Sequence, residues 1–145
     1  MGTIYQGTGW RRTAVGEYDS DTIYRGTGWG RIPVGEFEDG TIYRGTGWGR
    51  SAVGEYDNNT IYQGTGWGRT AVGEYERNTL YHGTGWGRSA MGEFEALGGP
   101  AAGGLLLLGL GQSKGHTGSP APAGMGCMTF CVTLGVIGLL VVLLF

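Results

Sequence analysis

The chain has 145 residues, and 33 of them are glycine, far above the roughly 7 % of an average protein. Glycine does not recur every third residue and only four prolines are present, so a collagen helix is excluded. An apolar content of 40 % with a net charge of −2 excludes a highly charged disordered tail, and glycine's cost of about 1 kcal/mol per helical position argues against a helical bundle.

Residues 1–95 carry all 12 acidic residues and every basic residue except Lys114. They are also a repeat. Threonines at 3, 22, 41, 60 and 79 each open the phrase Thr-Ile/Leu-Tyr-x-Gly-Thr-Gly-Trp-Gly-Arg-x-Ala-Val-Gly-Glu-Tyr/Phe, five times at a spacing of 19. The pairs Ser20-Asp21, Asp39-Gly40, Asn58-Asn59 and Arg77-Asn78 join the copies. Most of these pairs suit a two-residue hairpin turn with positive φ, and β-forming residues flank them. The glycine-rich stretch around Trp-Gly-Arg supplies the second reversal. Ten strands of about six or seven residues are expected.

The turn sets the register, with Glu38 facing Thr41, Phe37 facing Ile42 and Glu36 facing Tyr43. One side of the sheet then collects Tyr/Phe, Gly, Ala, Ile, a variable residue, Thr and Trp. This more apolar side is the expected interior. The terminal copies are as apolar as the middle three, which favours a closed ring over an open solenoid with polar caps. Ten strands give a ring of about 10 Å backbone radius. The fold expected is therefore all-β, with five 19-residue hairpins closing into a shallow symmetric barrel. Its aromatic core or channel is expected from Trp10, Trp29, Trp48, Trp67, Trp86, Tyr18, Phe37, Tyr56, Tyr75 and Phe94. Two positions depart from the repeat: Arg11 replaces a glycine and Pro33 an alanine, and a closed ring requires a bulge at Pro33.

Each copy carries one arginine and one glutamate: Arg12, Arg31, Arg50, Arg69 and Arg88, with Glu17, Glu36, Glu55, Glu74 and Glu93. Identical carboxylates in identical settings are poor material for acid–base catalysis, which needs inequivalent groups. Ion pairs between hairpins are the expected role. The polar position that varies, Gln6, Arg25, Arg44, Gln63 and His82, is a candidate ligand ring at the mouth of the bore, or else a solvated rim. Gly-Thr-Gly-Trp-Gly lacks the spacing and following helix of a dinucleotide loop. Only two histidines occur, so neither a metal cluster nor a nucleophile–base pair can be assembled, and no cofactor is expected. The acidic balance of the repeats disfavours nucleic acid.

Residues 96–124 read as a Gly/Ala/Leu/Pro-rich linker, and its first part, 96–111, as a flexible connection or a shallow dip into a membrane. Residues 125–145 contain no charge and are long enough to cross a bilayer as a helix. No secretory leader is legible before the first repeat. The expectation is a single-pass tail anchor with the repeat domain on the cytoplasmic side. Cys127, Cys131 and Gly135 share one helix face, which suits close helix–helix self-association; acylation of the two cysteines and plain apolar packing are the other readings.

Five glycine- and aromatic-rich hairpins, built on Tyr-x-Gly-Thr-Gly-Trp-Gly-Arg and Val-Gly-Glu-Tyr and followed by an apolar segment, resemble the β-flower group. Those are shallow hairpin barrels similar in outline to the Tubby C-terminal domain and often joined to membrane segments. The likeness covers residues 3–95 and implies a fold and no established activity. Tubby domains bind phosphoinositide headgroups, but no lipid-binding residue of theirs maps onto this chain. Tyr-x-Gly followed by Trp resembles MORN repeats more weakly. The expected function is a non-enzymatic module for binding or scaffolding at a membrane, with an anionic lipid or a protein as partner. Uptake of a lipid or amphiphile into the aromatic channel is one alternative; an enzyme is the other, disfavoured because no residue constellation for catalysis is legible.

Overall fold

The computed structural model describes residues 1–112. It is an all-β, closed barrel of ten antiparallel strands with one helix. The strands are β1 (Gly2–Gln6), β2 (Thr13–Asp19), β3 (Thr22–Arg25), β4 (Ile32–Glu38), β5 (Thr41–Arg44), β6 (Ser51–Asp57), β7 (Thr60–Gln63), β8 (Thr70–Glu76), β9 (Thr79–His82) and β10 (Ser89–Phe94), followed by α1 (Gly98–Leu106). Each strand pairs with its neighbours in sequence, and β1 closes the ring on β10 through Ile4–Phe94, Tyr5–Glu93 and Gln6–Gly92. Closure leaves no strand edge exposed.

Phe37 faces Ile42, Glu36 faces Tyr43 and Glu38 faces Thr41, as the turn chemistry requires. Both central residues have positive φ at Asp39-Gly40 and Asn58-Asn59; at Ser20-Asp21 and Arg77-Asn78 only the first does. Strand lengths are unequal, seven residues in β4 against four in β5, so the expectation of uniform six- or seven-residue strands is corrected. The short strands end early because Gly26 and Gly28, at φ 80° and 64°, break the pleat before a single 3₁₀ turn, Gly28–Gly30. The other copies repeat this geometry.

A register shift recurs in all five copies: Ile23 pairs with Gly35 while Tyr24 pairs with Pro33, leaving Val34 as the bulged residue. The bulge corrects the expected faces. Beyond it, Ala14, Ala52, Ala71 and Ala90 turn outward, while Val15, Val34, Val53, Val72 and Met91 pack against the core. Pro33 beside the bulge is exposed. Arg11 is accommodated because its counterparts Gly30, Gly49, Gly68 and Gly87 have open space where a side chain would project.

The interior is built in layers. One layer is Tyr18, Phe37, Tyr56, Tyr75 and Phe94, and the next is Ile4, Ile23, Ile42, Ile61 and Leu80, each of these last five 0 % exposed. A third consists of Gly16, Gly35, Gly54, Gly73 and Gly92. The barrel is not hollow. Residues 98–110, expected to be linker or membrane dip, instead run through it as α1 and a short irregular continuation.

This segment matches the layers by size. Gly98 and Gly99 lie against Tyr75 and Tyr56, and Gly103 lies against Ile42, where added Cβ atoms would collide. Leu105, Leu106, Leu107, Leu108 and Leu110 then fill the space left by Gly92, Gly73, Gly54, Gly35 and Gly16, one leucine per repeat taken backward round the ring. Large meets small at every level, as close packing demands. Pro100 sits in the first helical turn, where its missing N–H costs no bond. Ala96, at φ 72°, reverses the chain into the barrel, and Tyr18 anchors that reversal by donating its hydroxyl to Glu95 O while accepting from Leu97 N–H.

Among the described residues no helix is long and apolar enough to cross a membrane. The expected anchor at 125–145, with Cys127, Cys131 and Gly135, lies outside the described residues, as does the spacer from 113 onward.

Candidate functional site

The outward face of each hairpin carries one repeated cluster. In β2, Glu17 sits opposite Tyr24 of β3. Its Oε1 accepts the N–H of Gly28 at 3.2 Å, and its Oε2 accepts from Arg31 Nη1 at 2.9 Å. The Arg31 guanidinium lies 4.1 Å from the Tyr24 ring centroid. Glu17 thus fastens the turn that presents Trp29.

The same cluster forms with Glu36, Gly47, Arg50 and Tyr43, with Glu55, Gly66, Arg69 and Tyr62, and with Glu74, Gly85, Arg88 and Tyr81. It also crosses the seam. Glu93 of the last repeat accepts from Gly9 N–H at 2.7 Å and Arg12 Nη1 at 2.5 Å, and Arg12 lies over Tyr5. Each arginine therefore pairs with the glutamate of the preceding copy, and the ring of pairs is closed. The Arg–Glu pairing was expected. The backbone N–H and the tyrosine face were not, because neither leaves a mark in residue type alone.

Glu36, Glu55, Glu74 and Glu93 are held below the ordinary carboxylate range, first by the backbone N–H of Gly47, Gly66, Gly85 and Gly9 and then by the arginines. A lowered carboxylate stabilises fully above the unfolded value, about 4.3 for glutamate, and its contribution disappears as pH falls through the lowered value. The melting temperature is expected to hold between about pH 7 and pH 5 and to drop below about pH 4. Thermal melts that coincide at pH 7 and pH 3 would contradict this.

The tryptophans are not in the core. Trp10, Trp29, Trp48, Trp67 and Trp86 are 105–107 % exposed, on the turns that join short to long strands. The expectation of an aromatic hub is corrected for these five. The positive-φ glycines interrupt the alternation that would have carried each indole inward, and the 3₁₀ turn projects it into solvent. Tyr18, Phe37 and Phe94 are buried, and Tyr56 and Tyr75 half-buried, around α1. The expected aromatic channel is therefore occupied by the chain's own helix.

Gln6, Arg25, Arg44, Gln63 and His82 are exposed, each at the end of a short strand. Arg44, Gln63 and His82 line a depression of about 470 Å³, to which Leu106 and Leu107 also contribute. Arg44 Nη2 donates to Leu107 O at 2.9 Å, and Gln6 lies against Gly111. This polar rim surrounds the place where the plug ends. Among the described residues no group of three or more His, Cys, Asp or Glu is arranged to hold a metal ion.

Comparison of the chain with protein families, curated proteins and solved structures finds no match.

Proposed function

We propose that the chain is a non-enzymatic binding module tethered to a membrane, recognising its partner with the outside of the barrel. The observation that carries this is the plug: with α1 filling the interior, the recurring residues left for recognition are the exposed tryptophans and the polar rim. Each repeated glutamate already accepts from a backbone N–H and an arginine, so it is committed to holding a turn. The uncharged stretch 125–145 supports the tether. A closed ring of five glycine-rich hairpins is also what kinship with β-flower proteins would require.

The tether is tested by fractionation. Full-length protein is expected to stay with membranes through high-salt washing, and a variant lacking residues 125–145 to move to the supernatant. Full-length protein released by the salt wash would overturn the reading.

A further inference from the structure

We propose that the tryptophan-bearing end of the barrel is a membrane-contacting face, with its five indoles seated in the headgroup boundary of an anionic bilayer. This rests on the tether proposed above and names the surface and the lipid class it meets.

Strands alternate in direction round the ring, so all five short-to-long connections emerge at one end. Each presents a fully exposed indole on a turn fixed by a glutamate, an arginine and a tyrosine. Five large apolar side chains in water, one per hairpin and all at one end, are not an ordinary monomer surface. Indole, with its apolar rings and one N–H, favours the membrane–water boundary over both bulk phases.

Charge is polarised along the barrel axis. The exposed ionisable residues at the tryptophan end are Arg11, Arg12, Arg25, Arg44 and His82, with no acid among them, and of these Arg12 is paired with Glu93. The opposite end carries Asp19, Asp21, Glu38, Asp39, Asp57, Glu76 and Glu95 against Arg77 and the N-terminal amine; Asp19, Glu38, Asp57 and Glu76 also meet Arg31, Arg50, Arg69 and Arg88, and the balance there stays acidic. An anionic leaflet would attract the first end and repel the second.

The chain also leaves the barrel on the tryptophan side. Leu107 O is held by Arg44, Gly111 lies against Gln6, and Gln112 is the last described residue. Lys114 follows, and residues 113–124 span at most about 40 Å before the uncharged stretch begins. A sugar or peptide lying beside an indole would find fewer polar partners. The Glu17 carboxylate, the Arg31 guanidinium and the Gly28 N–H of that groove already bond to one another.

All five tryptophans of the chain lie at this end, so indole fluorescence, excited beyond the absorption of the eight tyrosines, reports on it alone. Full-length protein is reconstituted into phosphatidylcholine vesicles with and without phosphatidylserine, and with phosphatidylcholine brominated near the headgroup end of its acyl chains. Flotation with the vesicles, a blue-shifted emission and loss of most of the fluorescence to the bromolipid are expected, more strongly with phosphatidylserine. The variant Arg11→Gln/Arg25→Gln is expected to float equally but to lose the phosphatidylserine dependence. Floated protein whose emission stays that of hydrated indole, quenched by aqueous iodide and not by bromolipid, would overturn the proposal while leaving the tether standing. A blue shift that grows with protein concentration and ignores bromolipid would overturn it in favour of a second copy. Protein that does not float overturns the tether and this face with it.

Discussion

Replacing Leu110 by alanine is expected to destabilise the barrel by about 2–5 kcal/mol, and the double variant Leu105→Ala/Leu110→Ala to leave it largely unfolded at room temperature. Leu110 and Leu105 are each 2 % exposed, seated against Gly16 and Gly92. The glycine layer has no side chains to collapse into the space a missing leucine leaves, so the cavity term adds to the lost transfer energy. The control is Leu97→Ala, at a position 55 % exposed, expected within about 0.5 kcal/mol of the parent. Chemical denaturation of the detergent-solubilised chain, followed by near-ultraviolet dichroism of the buried tyrosines, measures all three. A Leu110→Ala midpoint equal to the parent's would mean the segment does not fill the barrel.

The complementary change, Gly54→Val, is expected to cost at least about 2–3 kcal/mol, at or beyond the upper end for overpacked cores. A Cβ at Gly54 would run into the backbone carbonyl of Tyr62 and come within 2.5 Å of Leu107 Cδ1. The leucine tip can move, but the carbonyl belongs to the next strand and cannot. Gly68→Ala is the matched control. Nothing lies within 4 Å of its added Cβ, and Arg11 already occupies the equivalent place in the first copy. It is expected to be close to neutral in the same denaturation experiment. Equal losses at both positions would contradict the packing described, since the two glycines would then be serving one purpose.

The repeat, the register and ring closure were legible because they rest on short-range chemistry. Asp39-Gly40 and Asn58-Asn59 announce their turns, and the equal apolarity of all five copies argues against free ends. The Arg–Glu pairing followed from strict recurrence. The bulge at Val34 and its counterparts was not legible beyond Pro33, because the other four copies carry an ordinary alanine there. The orientation of Trp29 was misread by continuing a two-residue alternation through Gly26-Thr27-Gly28, although two glycines so close are themselves a signal that the pleat stops.

The helix α1 was the hardest element. Gly98-Gly-Pro-Ala-Ala-Gly-Gly-Leu-Leu holds four glycines and a proline, the poorest helix formers, and tertiary enclosure overrides that preference. Its pattern acquires meaning only against the barrel wall: small residues where the wall is aromatic or isoleucine, leucines where the wall is glycine. The wall residues it matches are scattered one per hairpin, 19 residues apart, so the segment itself carries no local periodicity that reveals them. The variable position at Arg44 lies where the plug ends, so the open bore expected beside it is not there.

The central claim is that the ring closes on itself around its own helix, and amide hydrogen exchange on the full chain tests it most directly. The amides of Gly7 and Glu95, which bond to Met91 O and Thr3 O across the β1–β10 seam, should exchange as slowly as those of Gly26 and Gly45 within the ring, and the amide of Leu107, bonded to Gly103 O, should be comparably slow. Fast exchange at Gly7, Glu95 and Leu107 beside slow exchange at Gly26 and Gly45 would show an open, empty sheet and contradict the account.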